Sequence, residues 1–157
     1  MRKSYLIALT IIVAIAWGCF NTNGQEKRRL SKTPAEWKKI LTPNQYQIMV
    51  ERGTETPFRN AYHDNHQKGV YLSAATGEVL FSSEDKFDSG TGWPSFVKAV
   101  DPKKVEIVKD NSYGMERDEV VERSTGLHLG HVFDDGPVAR GGKRYCMNSG
   151  ALKFVKQ

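Results

Sequence analysis

Cysteine is scarce in this 157-residue chain: Cys19 and Cys146 are the only two, which excludes a framework of several disulfides. Charge of one sign is scarce too. The 23 basic and 18 acidic residues are largely interspersed, with one basic cluster at Lys27-Arg28-Arg29, so nucleic acid is not implied as a partner. No internal repeat or low-complexity block follows the N-terminal segment, and the remaining length suits one domain with a real core.

Residues 1–18 read as a signal segment. Arg2 and Lys3 form a short basic region, and Leu6 to Ala16 form an apolar run too short to span a bilayer comfortably. Ala16-Trp17-Gly18-Cys19 resembles a lipoprotein cleavage box, which makes Cys19 the expected lipid anchor; simple secretion and an uncleaved anchor are the other readings. All three take the chain out of the cytoplasm, to a bacterial periplasm or a membrane-anchored place in the envelope. Removing Arg2 and Lys3 lowers the formal charge from +5 to +3. A Cys19–Cys146 disulfide is the bland alternative, but lipidation blocks the first sulfur and cleavage beyond it removes the partner. The folded domain then keeps one free thiol.

Residues 19–32 are expected to form a tether and 33–157 the domain. Thr33-Pro34-Ala35-Glu36 has the form of a capping box, and Trp37, Ile40 and Leu41 fall on one helical stripe after it. Thr42-Pro43-Asn44-Gln45 repeats the device for a second short helix carrying Tyr46, Met49 and Val50 and stopping near Gly53. From Gly69 onward the pattern predicts short strands over 70–73, 78–82, 105–109, 117–122, 127–133, 144–149 and 151–155, with turns at Asp134-Asp135-Gly136-Pro137 and Gly141-Gly142. The expected fold is mainly β, antiparallel sheets with short N-terminal helices.

Strand alternation puts Arg144, Cys146 and Asn148 on one face, so a cation and an amide flank the sulfur, an arrangement that favours a thiolate. His128 and His131 lie an odd number of residues apart and would face opposite sides of a regular strand. A bulge at the intervening Gly130 would turn both imidazoles toward one site. Two structural histidines, or a metal pair lacking further ligands, are the alternatives. Asp88 to Phe96 sets Trp93 among glycines and a proline, a loop of unusual backbone suited either to a buried aromatic turn or to presenting a side chain.

In chain order, Gly90-Thr91-Gly92-Trp93-Pro94-Ser95-Phe96, then His128-Leu129-Gly130-His131-Val132-Phe133-Asp134-Asp135-Gly136-Pro137, then Arg144-Tyr145-Cys146-Met147-Asn148-Ser149 resemble the signatures of B-type methionine sulfoxide reductases. The resemblance runs from about Glu36 to Phe154 and takes in Gly53-Thr54-Glu55-Thr56-Pro57-Phe58. It implies a small β-barrel-like core. It also implies that Cys146 attacks the sulfur of a methionine R-sulfoxide, peptide-bound or free, and becomes a sulfenic acid. By the same resemblance His131 is the expected proton donor, with His128 and Asn148 assisting. Trp93, Phe133 and Arg144 are expected to bind substrate, and Asp135 to hold Arg144 or a histidine.

Two departures carry expectations of their own. Where many relatives bind structural zinc through two Cys-x-x-Cys pairs, this chain has Ser73, Thr76, Glu122 and Thr125, so no zinc is expected and the two hairpins should be joined by packing alone. Where some relatives place a resolving cysteine, it has Thr91, so an external thiol, from a thioredoxin-like protein or another reductant, is expected to recycle Cys146. A monomer is expected. The rival readings are a cysteine hydrolase using Cys146, His131 and Asp135, and a non-catalytic binder of oxidised methionine.

Overall fold

The computed structural model describes residues 30–157, so the signal segment, Cys19 and the tether up to residue 29 lie outside the described residues. Two short helices come first, α1 (Pro34–Ile40) and α2 (Pro43–Met49). Each begins with a complete capping box: the Thr33 amide donates to Glu36 at 2.8 Å, and the Thr42 amide to Gln45 at 3.0 Å. These contacts satisfy amides that a helix of one or two turns cannot pair internally.

The apolar stripes are narrower than expected. Trp37 and Leu41 are buried, but Ile40 is 53% exposed, because the helix ends there and Leu41, already extended, is the residue that turns inward. In α2 the buried residues are Ile48 and Met49, with Tyr46 and Val50 half-buried. The chain then turns through Arg52, held at φ 62°, and the Gly53 amide donates to the Gln47 carbonyl at 2.9 Å.

Nine strands follow among the described residues: β1 (Gly69–Ser73), β2 (Val79–Ser82), β3 (Lys86–Phe87), β4 (Ser95–Phe96), β5 (Val105–Asp110), β6 (Arg117–Glu122), β7 (His128–Phe133), β8 (Arg144–Met147) and β9 (Leu152–Lys156). They form two antiparallel sheets, ordered β2-β1-β9 and β3-β4-β8-β7-β6-β5. The mainly β expectation is correct, but the barrel is not. β5 and β3 are opposite edges of the larger sheet, and β3, two residues long, offers no ladder on which the sheet could close.

The core joins the two sheets through aromatic rings. Phe81 of β2 stacks on Phe96 of β4 with centroids 4.6 Å apart, and Tyr71 of β1 meets the same ring edge-on at 5.0 Å. All three are fully buried, with Leu129 and Met147 of the larger sheet beside them in one cluster.

Packing is not all that joins the β1–β2 and β6–β7 hairpins, and here the sequence-based expectation is corrected. The Thr76 hydroxyl donates to Glu122 at 2.5 Å and the Thr125 hydroxyl donates to its other oxygen at 2.7 Å. Ser73 accepts from the amides of Ala75 and Thr76, closing the first hairpin turn. Glu122 is fully buried, so its two hydroxyl donors replace lost water and tie one hairpin to the other.

Candidate active site

Cys146 lies on β8 between β7 and β4, directly opposite His131 on one side and Ser95 on the other. Opposed residues of an antiparallel pair share a face, so Ser95, Cys146 and His131 form one row across the sheet. The thiol is free and half-buried. It opens into a cleft of about 120 Å³ lined also by Thr54, Trp93, Arg117, Gly130, Phe133 and Asn148.

The expected bulge is present in β7. Val120 pairs with Gly130 and Val121 with His128, leaving Leu129 as the extra residue. The two imidazoles come within 5.3 Å of each other between ring centroids. Glycine is required at 130 because a Cβ there would lie 2.1 Å from the Cys146 carbonyl oxygen. Gly92, at φ 86°, is fixed in the same way, since a Cβ would lie 2.7 Å from Phe58. Its carbonyl accepts from the Phe58 amide at 2.8 Å and from Asn60 Nδ2 at 2.7 Å, anchoring the loop that carries Trp93.

The histidines have different surroundings. His131 lines the cleft and pairs through Nε2 with Asp110 Oδ2 at 2.9 Å. Burial pushes its titration below the ordinary imidazole range, and Asp110 opposes that only in part. His128 is fully buried behind it, with Nδ1 2.6 Å from Glu119 and Nε2 3.4 Å from Asn148 Nδ2. Asn148 Nδ2 also donates to the Leu129 carbonyl at 3.2 Å, and Asn148 Oδ1 accepts from the Glu55 amide at 3.3 Å.

Arg144 does not line the cleft. Its guanidinium lies over the Phe133 ring at 4.4 Å and grips Asp135 through two bonds of 2.8 Å, so Asp135 holds Arg144 rather than a histidine. Arg144 still draws the Cys146 titration down, as do hydrogen bonds from Thr91 and Ser95, but burial outweighs them and leaves the thiol above its ordinary value. The sequence-based expectation of a resting thiolate is therefore corrected. Desolvating the anion costs more than one shared cation returns.

Several residues here carry no local motif. Asp110 ends β5 and accepts from His131, while Arg117, Arg52 and the Ser112 amide also reach it at 2.8, 3.0 and 3.0 Å. These partners overcome the upward push of burial and hold the Asp110 carboxyl far below the usual range. Arg52 also pairs with Glu119 at 2.9 Å. Glu55 accepts from the amides of Ser149 and Gly150, and its own carbonyl accepts from the Trp93 indole at 3.1 Å. Glu55 thereby connects the tryptophan loop to the turn after Cys146. The only signal for it was its place in the Gly53 to Phe58 segment.

A free thiol in one row with a carboxylate-supported histidine, in a cleft walled by an indole, is the constellation of a cysteine-based enzyme, with no triad through Asp135. Residues 41–156 match the SelR domain. The chain is 52% identical over 128 residues to the peptide methionine sulfoxide reductase MsrB of Methanosarcina barkeri, covering 82% of this chain and 89% of that protein. It is 48% identical over 131 residues to the protein of the same name in Methanosarcina mazei (83% of this chain, 93% of the relative). The Leptospira interrogans relative, again a peptide methionine sulfoxide reductase MsrB, is 51% identical over 128 residues (82% and 97%). The chain belongs to the B-type methionine sulfoxide reductase family and is an oxidoreductase that reduces methionine sulfoxide.

Proposed function

We propose that Cys146 reduces the R epimer of methionine sulfoxide by direct attack on sulfur, with His131 moving the proton. The observation that carries this reading is the shared row of Cys146 and His131, with Asp110 fixed behind the imidazole. Cys146 rests as a thiol and His131 as a neutral imidazole whose Nε2–H donates to Asp110, which leaves Nδ1 to take a proton. As the sulfoxide enters, the thiol proton passes to Nδ1 and the ionised Asp110 stabilises the imidazolium. The thiolate attacks the substrate sulfur, forming an S–S bond as the imidazolium protonates the sulfoxide oxygen; the hydroxyl then moves to the Cys146 sulfur while the S–O and S–S bonds to the substrate sulfur both break and one electron pair stays on it. The products are methionine and Cys146 sulfenic acid, with no net proton taken up.

Trp93 and Phe133 form the apolar walls for the substrate methyl group. An indole against a thioether contributes on the order of 0.3–1.5 kcal/mol, enough to orient the sulfoxide but not to bind it tightly. His128, behind the cleft, and Asn148, on its wall, assist by positioning, since their side chains lie within one hydrogen-bonded line from Glu119. Arg144 acts through Phe133 rather than on the substrate, with Asp135 holding it.

With Thr91 in the tryptophan loop and Cys146 the only cysteine of the domain, an external thiol from a thioredoxin-like protein or another reductant completes the cycle. The domain works without structural zinc, since Ser73, Thr76, Glu122 and Thr125 are oxygen side chains committed to hydrogen bonds rather than a thiolate set. The leader pattern supports a place in the bacterial envelope, with Cys19 as lipid anchor. The test is turnover on the separated R and S sulfoxides by wild type and Cys146→Ser. R-only activity that the serine variant loses is expected; equal rates on both epimers, or turnover by the variant, contradicts the reading.

A further inference from the structure

Three hydroxyls form a hydrogen-bonded chain beside the Cys146 sulfur on the side away from His131. Ser95, fully buried, is the β4 residue opposite Cys146. Ser89 Oγ lies 2.8 Å from Thr91 Oγ1 and 2.8 Å from Ser95 Oγ, and Ser95 Oγ donates to the Trp93 carbonyl at 3.2 Å. Three protons are available for these contacts, and a carbonyl can only accept.

We propose that Ser89, Thr91 and Ser95 form a switchable hydroxyl relay in which Ser89 is a positioning residue that favours the resting thiol, while Thr91 and Ser95 turn toward the sulfur when it ionises. The inference rests on Cys146 being the nucleophile and adds how its charge state is set. While sulfur carries its proton, one arrangement uses every donor: Cys146 to Thr91, Thr91 to Ser89, Ser89 to Ser95, Ser95 to the Trp93 carbonyl. Ionisation reverses only the ends. Thr91 and Ser95 then donate to the anion, Ser89 keeps its bond to Ser95, and the Trp93 carbonyl gives up its donor.

Hydrogen bonds from Thr91 and Ser95 do lower the Cys146 titration, against the larger effect of burial. The other groups facing the sulfur are Arg144 on its own strand, bound to Asp135, and His131 across β7 with Asp110 behind it; Arg117 lines the same cleft. β4, two residues long, presents no ionisable side chain. Thr91 and Ser95 are the hydroxyls that act on the sulfur from that flank, with Ser89 bound to both.

The relay makes opposite predictions for two neighbours. Ser89→Ala takes away the acceptor that draws the Thr91 proton off the sulfur, and it costs the thiol form two bonds against one for the thiolate. Thr91→Val costs the thiol form its bond to Ser89 and a weak S–H bond, but costs the thiolate a charge-assisted bond about twice as strong as a neutral one, so the thiolate loses more. One net hydrogen bond corresponds to about a two- to tenfold change. The experiment is the rate of Cys146 alkylation by iodoacetamide in the intact domain, followed from about pH 6 to pH 10.

Ser89→Ala should alkylate about two- to tenfold faster at neutral pH with a lowered midpoint, Thr91→Val slower with a raised midpoint, and Ser89→Thr, which restores a hydroxyl, as wild type. Midpoints that move in the same direction for Ser89→Ala and Thr91→Val, or that do not move, overturn the relay. Cys146→Ser is assayed in parallel for turnover. Its retention of activity overturns the nucleophile reading instead, so the two failures are told apart.

Discussion

Asp110 and His131 are bound at 2.9 Å from different strands of one sheet, β5 and β7, with β6 between them. The carboxylate that orients the proton-carrying imidazole thus comes from 21 residues earlier in the chain. Asp135, next to the histidine motif in sequence, is occupied by Arg144.

Asp110→Asn keeps the shape and removes the charge. Imidazolium formation loses its partner, so kcat should fall by about 10²-fold or more with KM little changed, measured by steady-state turnover of the R sulfoxide. Stability should respond as well. The native carboxyl titrates below its ordinary value, so its contribution is fully present above the unfolded range and is lost as pH falls through the native value. Urea unfolding should show the variant less stable than wild type at neutral pH, with the gap closing toward strongly acidic pH.

The free enzyme should be a slow thiol at neutral pH. Burial lifts Cys146 above its ordinary value of 9.0, so its alkylation rate should still be climbing as pH passes that point. A midpoint below neutrality would show that Arg144 overcomes desolvation.

Much of this site was legible from residues close together in the chain. Gly130 between two histidines announced the bulge, the glycines around Thr91 announced a loop of unusual backbone, and Cys146 stood out as the one cysteine of the folded domain. Asp110, Arg52 and Glu119 could not be read in this way, because an acid ending one strand and a base following a helix look like ordinary solvated residues until the sheet brings them together. The resting charge of Cys146 was misjudged for a related reason: alternation along a strand reveals the neighbouring cation but not how much water the fold removes. The open sheets were hidden too, since strand lengths of two residues leave almost no periodic trace.

Glu122 offers a stability test away from the chemistry. Glu122→Ala strands the buried Thr125 hydroxyl and cuts the bond from the exposed Thr76, and should cost about 1–3 kcal/mol in urea unfolding. Glu122→Gln keeps an acceptor and the shape, and should cost less. Both variants should retain the turnover of wild type at temperatures where they stay folded.

Gly130→Ala should be severe. The added methyl would meet the Cys146 carbonyl at 2.1 Å, so β7 and β8 must part where His131 and Cys146 face each other. A loss of more than about 2 kcal/mol of stability, together with loss of turnover, is the expected result, read by thermal melting and a sulfoxide assay.

The most direct test of the central claim is intact-protein and peptide mass spectrometry of the domain after one equivalent of methionine R-sulfoxide, with reductant absent. One oxygen atom added at Cys146, matched by one methionine released, is the predicted result. Methionine released from a protein whose Cys146 gains no oxygen and is not otherwise oxidised would contradict it.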